Sequence, residues 1–220
     1  MRTQAGDDLI ERIRAHSSDG AVVGPAANDL LSELFAGYPV ENLARLLRSG
    51  DDAAVRTGAW LLSELGDLAA PMLGEVPALL VHPLPQVRFF AIDVVPSGGD
   101  ARHGPAVARV LSLSADPEPG VRWKVLGYLA DATAGQLAAG ASYLEEGRVK
   151  ELTTWLARLE DDGPDPREVL ARLDDPDPTT RLFAAAAAAR LYDEDGSLLE
   201  HAATLEDEEI RSFAQAGLDR

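Results

Sequence analysis

The sequence predicts an all-α protein, an α-solenoid of about six helical hairpins behind an N-terminal helical cap. Three observations carry this. A Val-Arg pair or its equivalent recurs about every thirty residues, apolar residues between the pairs fall at three- and four-residue spacing, and no period-two alternation persists.

The pair comes first. Val55-Arg56, Val87-Arg88, Val121-Arg122, Thr180-Arg181 and Ile210-Arg211 share one frame, with a small or apolar residue four places after the β-branched one: Ala59, Ala91, Val125, Ala184 and Ala214. Three places before it stands an acid in four of the five frames (Asp52, Glu118, Asp177, Asp207), with Leu84 the exception. Successive arginines lie 32, 34, 59 and 30 residues apart, so the long gap holds a degenerate unit, which Val149-Lys150 with Glu146 supplies. An acid ahead of a helix accepts hydrogen bonds from its first free N–H groups and favours the positive end of its dipole. Prolines cluster at the same places, in Asp116-Pro117-Glu118-Pro119 and Asp174-Asp175-Pro176-Asp177-Pro178, where a first turn tolerates them and a preceding helix does not. Each frame therefore starts the second helix of a hairpin.

First helices precede these starts: Val40–Arg48, a segment ending at Pro77–His82, then Ala106–Leu113, Ala134–Leu144, Arg167–Leu173 and Ser197–Leu205. Residues 1–39 fit the frame poorly. They read as a cap of two helices, Asp7–His16 and Ala26–Phe35, joined by a loop at Ser17–Pro25, and residues 40–220 read as one array continuous with the cap. Pro96, followed by Ser97-Gly98-Gly99-Asp100, cuts the second unit short, and Glu160–Pro166 reads as a loop between repeats.

The pattern of apolar helix, D-P-x-P turn, V-R-x-x-A and a closing L-G, as in Leu62–Gly66, resembles the HEAT repeat, including its short bacterial form, over about residues 40–219. The resemblance implies a right-handed, armadillo-like solenoid whose second helices line a concave surface. It implies a binding scaffold more often than an enzyme, although lyases and DNA glycosylases occur on such arrays. It also implies that Arg56, Arg88, Arg122, Arg181 and Arg211 form a structural ladder, bonding to acids and carbonyls of neighbouring turns. The competing reading, a basic ladder gripping an anion, is set aside because acids at the adjoining turns, absent only at Leu84, make pairing available.

Helical phase places the residue after each arginine about 200° from the β-branched core position, on the concave side if the resemblance holds. Those residues are Thr57, Phe89, Trp123, Leu182 and Ser212, and four further on Leu61, Asp93, Gly127, Ala186 and Ala216. Phe89, Asp93, Trp123, Lys124 and Tyr128 form the candidate partner-binding patch, aromatics flanked by charge; the alternative is that these rings pack between neighbouring repeats. Trp60 and Trp155 are assigned to the core.

Composition narrows the chemistry. The chain has no cysteine, which excludes disulfides, thiolate metal sites and a cysteine nucleophile. Its histidines, His16, His82, His103 and His201, show no metal-ligand spacing, and Asp193-Glu194-Asp195-Gly196 fails as a calcium loop at its first and last ligand positions. No phosphate-binding glycine loop or nucleophile elbow occurs, so no catalytic residue, metal or cofactor is assigned. A net charge of −17 repels nucleic acid and anionic lipid, and it either keeps the chain soluble or favours a basic partner. Residues 1–14 hold no apolar run like a signal peptide. The expectation is a cytoplasmic, monomeric, non-enzymatic module that binds a protein or peptide of basic character. The alternatives are an acidic inhibitor or immunity-type protein neutralising a basic enzyme such as a nuclease, and a HEAT-like lyase.

Overall fold

The computed structural model describes residues 2–95, 103–162, 165–193 and 195–219, the side chains of residues 2, 3 and 160–162 excepted. Among these residues all regular structure is helical. The chain forms two compact units, Met1–Gly98 and Gly99–Arg220. The sequence reading, which runs one array from residue 40, draws no division there. The Pro96–Asp100 interruption it does single out lies outside the described residues.

The first unit contains α1 (Arg2–Ala15), α2 (Gly20–Phe35), a 3-10 turn (Val40–Leu43) leading into α3 (Ala44–Leu47), α4 (Asp52–Ser63), a 3-10 segment (Gly66–Met72), α5 (Val76–Leu79) and α6 (Pro85–Val94). Helix α2 starts at Gly20, where a loop to Pro25 was expected, because the Asp19 carboxylate accepts the Ala21 N–H at 3.0 Å and so caps a turn upstream of the proline. Pro25 sits on an exposed face. Helix α1 is held by Arg45, which donates to Asp7 at 2.6 Å and to Glu11, and by the Tyr38 hydroxyl, which donates to Asp7 at 2.8 Å. A Cβ on Gly6 would lie 2.5 Å from the Tyr38 ring, so only glycine lets that ring rest on α1. Packing of α1 on α2, α3 on α4 and α4 on α6 buries Ile10, Ile13, Leu30, Leu43, Leu46, Leu61, Leu62 and Ile92.

The second unit contains α7 (Gly104–Ser112), a 3-10 turn (Leu113–Ala115), α8 (Pro119–Asp131), α9 (Ala134–Ala141), α10 (Arg148–Asp162), α11 (Pro166–Leu173), α12 (Pro178–Arg190), α13 (Gly196–Ala202) and α14 (Glu208–Leu218). The expected loop at Glu160–Pro166 is shorter than read, since α10 remains helical to Asp162 and α11 begins at Pro166 behind an Asp165 cap. Helix α12 is the centre. Leu182 through Ala188 are all buried, seven consecutive positions and hence every face of the helix. Its neighbours are α8, α10, α11, α13 and α14. The alanine run makes this arrangement possible, because small side chains let several helices approach one axis at once.

Helix α8 packs on α12 and α14, far along the chain. The tie at its start is Arg122 to Glu209, at 2.6 Å. At its end, Arg190 donates to the carbonyl oxygens of Leu129, at 2.7 and 3.0 Å, and of Ala132, which satisfies last-turn acceptors that a helix leaves open.

Candidate functional site

The recurring arginines can be judged one at a time. Arg88 Nη1 donates to the carbonyls of His82 and Pro83 at 2.8 and 3.0 Å. Arg122 Nη1 donates to Asp116 and Pro117 at 2.8 and 3.2 Å, and Arg181 Nη1 to Asp175 and Pro176 at 2.8 and 3.0 Å. Arg211 Nη1 reaches Leu205 and Glu206 at 3.2 and 3.4 Å. In each case the acceptors lie six and five residues upstream, so one guanidinium nitrogen staples the turn to the helix that follows. Arg181 adds a two-pronged pair to Asp207, at 2.7 and 2.9 Å, which joins the starts of α12 and α14. Arg181 is the first cause of the lowered pKa of Asp207 and outweighs the opposing burial.

Arg56 departs from the ladder assigned to it. It is exposed and makes no hydrogen bond or ion pair with any described residue. The cause lies in the turn. The residue six places before Arg56 is Gly50, with φ at +74°, whereas the described non-glycine residues all keep negative φ, including those at the matching place in the other four frames. A left-handed residue turns its carbonyl away from the place where the arginine would meet it. The nearest acid along the helix, Asp52, is 3.6 Å from His82 Nε2 instead.

Arg56 stands on a groove wall. A cleft of about 380 Å³ runs across α2, α4 and α6, lined by Gly24 and Asn28 from α2, Arg56 and Trp60 from α4, and Gln86 and Phe90 from α6. It exists because α4 packs closely along α6 but meets α2 more sparsely. The wall is apolar apart from Arg56, the Thr57 hydroxyl and two amides, and its aromatic rings are half-buried. Phe90 is held by an edge-to-face contact with Phe89, with ring centroids 5.5 Å apart at 86°.

The sequence-derived patch divides between the units. Phe89 and Asp93 are half-buried on α6 of the first; Trp123, Lys124 and Tyr128 stand on α8 of the second. Trp123 is 36 % exposed, with the Lys124 ammonium 5.8 Å from its ring centre. Tyr128 is not a surface anchor. It is 5 % exposed, and burial pushes its hydroxyl pKa well up. The reason is phase, since residue 128 is one of the positions, with Val121 and Val125, that share a stripe at i, i+4 and i+7 and turn to the core. Leu182 and Ala186, placed on the concave side by the same phase argument, are buried within the cluster around α12. Trp155 is buried, with the Arg172 guanidinium 4.4 Å over its ring, whereas Trp60 lies on the groove and not in the core.

Sequence reasoning missed Arg56 as a free cation, and Trp60, Gly24 and Asn28 as groove residues. A signal was present: the turn Ser49-Gly50-Asp51 lacks the x-Pro step of the better-formed repeats, and Trp60 follows Arg56 by one helical turn. A second cleft, about 330 Å³, lies beside Arg181 and Asp207, but three of its acids are engaged, Asp207 with Arg181, Asp175 with the Asp177 N–H, and Asp174 with His201 at 2.9 Å, and the fourth, Glu206, is exposed. Among the described residues no three histidine, aspartate or glutamate side chains gather where they could hold a metal ion, and no helix is long and apolar enough to cross a membrane.

No protein-family model matches the chain. No curated protein is significantly similar to it. Among solved structures it is similar to a crystal structure of an engineered protein from the Northeast Structural Genomics Consortium, 18 % identical, with a TM-score of 0.55 over 97 % of this chain and 95 % of that one. At that identity the likeness speaks to the fold alone.

Proposed function

We propose that the chain is a non-enzymatic binding module of HEAT-like kind, a right-handed array of helical hairpins that works as a monomer in the cytoplasm and holds a segment of another protein. The observation that carries the reading is the groove across α2, α4 and α6, where two half-buried aromatic rings flank an exposed guanidinium. Aromatic and arginine side chains in a partly desolvated depression are the groups that dominate binding energy at protein interfaces. Helix walls suit such a role because side chains alone face the ligand and can vary without disturbing the backbone. The net charge of −17 favours a partner that is basic overall, drawn in by long-range attraction, with the groove fixing where it docks.

The test fills the groove without touching the core. A Cβ placed on Gly24 would meet nothing within 4 Å, so Gly24→Leu occupies the cleft while leaving the packing of α2 intact. Immobilised wild-type chain and this variant are compared in affinity capture from the cell of origin at about 0.15 M salt. Proteins retained by the wild type and lost from a folded Gly24→Leu chain support the reading, and equal retention by both removes the groove from it.

A further inference from the structure

We infer that the groove of the first unit takes an amphipathic helix of its partner, one that sets a carboxylate against Arg56 and, one helical turn away, a bulky apolar side chain between Trp60 and Phe90. This rests on the binding-module reading and specifies the ligand of that site.

Three observations converge. The first is the contrast among the recurring arginines: four donate to carbonyls of their own turn, while Arg56 has no partner among the described residues and lines the cleft. A guanidinium on the rim of an apolar depression pairs best with a planar carboxylate, in two parallel hydrogen bonds.

The second is Gly24. A glycine inside a helix costs about 1 kcal/mol relative to alanine and usually has a packing reason. Gly58 and Gly140 have one, since an added Cβ would come within 2.9 Å of Leu46 and 2.6 Å of Val107 respectively. Gly24, like Gly127 on α8, has none; the space over Gly24 is open, and there that space is the groove. The missing side chain admits a ligand.

The third decides the ligand's conformation. The walls are helices, whose backbone groups bond within themselves. Two of the wall's polar side chains are already turned back on their own helices, Asn28 Nδ2 to the Gly24 carbonyl and the Thr57 hydroxyl to the Ala53 carbonyl, both at 3.0 Å. An extended peptide would find too few partners for its main chain, whereas a helix brings its own hydrogen bonds and offers side chains at i, i+3 and i+4.

A phage library of helix-forming peptides, randomised on one face, is panned against the full wild-type chain, Arg56→Glu and Gly24→Leu. Wild type is expected to enrich sequences with Asp or Glu three or four places from Trp, Phe or Leu. Arg56→Glu is expected to weaken those peptides about tenfold or more and to enrich Lys or Arg at the same place. Gly24→Leu is expected to bind none of them, with its circular dichroism and melting point retained. Peptides that bind Arg56→Glu as well as wild type, yet are lost on Gly24→Leu, overturn the carboxylate and leave the groove standing. Peptides indifferent to both substitutions, or no enrichment at all, overturn both. A wild-type dimer in sedimentation that Gly24→Leu dissolves places a second copy of the chain in the groove and overturns the partner helix.

Discussion

At the scale of single residues, the recurring arginines are chemically identical and energetically unlike. Arg181 makes two bonds to carbonyls and two to Asp207 and is largely buried by them, so Arg181→Leu should cost about 2–3 kcal/mol in urea denaturation. Arg56→Leu, which breaks nothing, should stay within about 0.5 kcal/mol. Asp207 gives the pair a pH signature. Its folded pKa lies below the ordinary value of 3.8, so its contribution is complete above that value and is lost as pH falls through the lower, folded one. Asp207→Asn should therefore destabilise at neutral pH, with the deficit against wild type shrinking only below about pH 4. At the alkaline end, burial first and then the bond to Asp7 push Tyr38 up to about 12 from 10.0. In an absorbance titration its ionisation should come late, in a step that Tyr38→Phe deletes. The stability it lends is present below pH 10 and lost as pH rises through about 12.

At the scale of helices, the sequence is legible where the determinant is local. The second-helix starts at Asp177 and Asp207 could be read because an acid stands three places before Thr180-Arg181 and Ile210-Arg211, joined at Asp177 by a side-chain cap and flanking prolines. Even there the detail shifts: the carboxylate capping α4 is that of Asp51, bonded to the Ala54 N–H at 2.9 Å, and not its neighbour Asp52. What could not be read is which helix packs on which. That α8 reaches α12 and α14 depends on the width of an alanine face and on Arg122 meeting Glu209, 87 residues away, and neither leaves a mark near α8 itself. The groove stayed hidden for a related reason, since its rim depends on one glycine's φ. Glycines on two helices test the packing account. Gly24→Ala should stabilise by about 0.5–1 kcal/mol, because its Cβ enters open space. Gly58→Ala should destabilise despite the same gain in helix propensity, since Leu46 and Leu47 must give way. Ala186→Leu, at the centre of α12, should destabilise by about 1–3 kcal/mol of overpacking, read in urea denaturation followed by tryptophan fluorescence.

At the scale of the whole molecule, charge dominates. With a net charge of −17 the folded chain repels itself, so its melting temperature should rise between about 10 mM and 150 mM salt, as the screening length falls from about 30 to 8 Å. The half-buried Arg181–Asp207 pair should be nearly indifferent to the same change, so the slope should persist in Asp207→Asn. The arginine staples bear on how such a chain acquires its structure. Each closes a segment of seven residues and needs no other part of the molecule, and short loops close in about 10–100 ns, long before distant helices can meet. These elbows are contacts of low sequence separation, available to a chain still emerging from synthesis, while the junction of α8 with α14 must wait for the last helix. The order of assembly is thus written into the difference between an arginine's reach to its own turn and its reach to a distant acid.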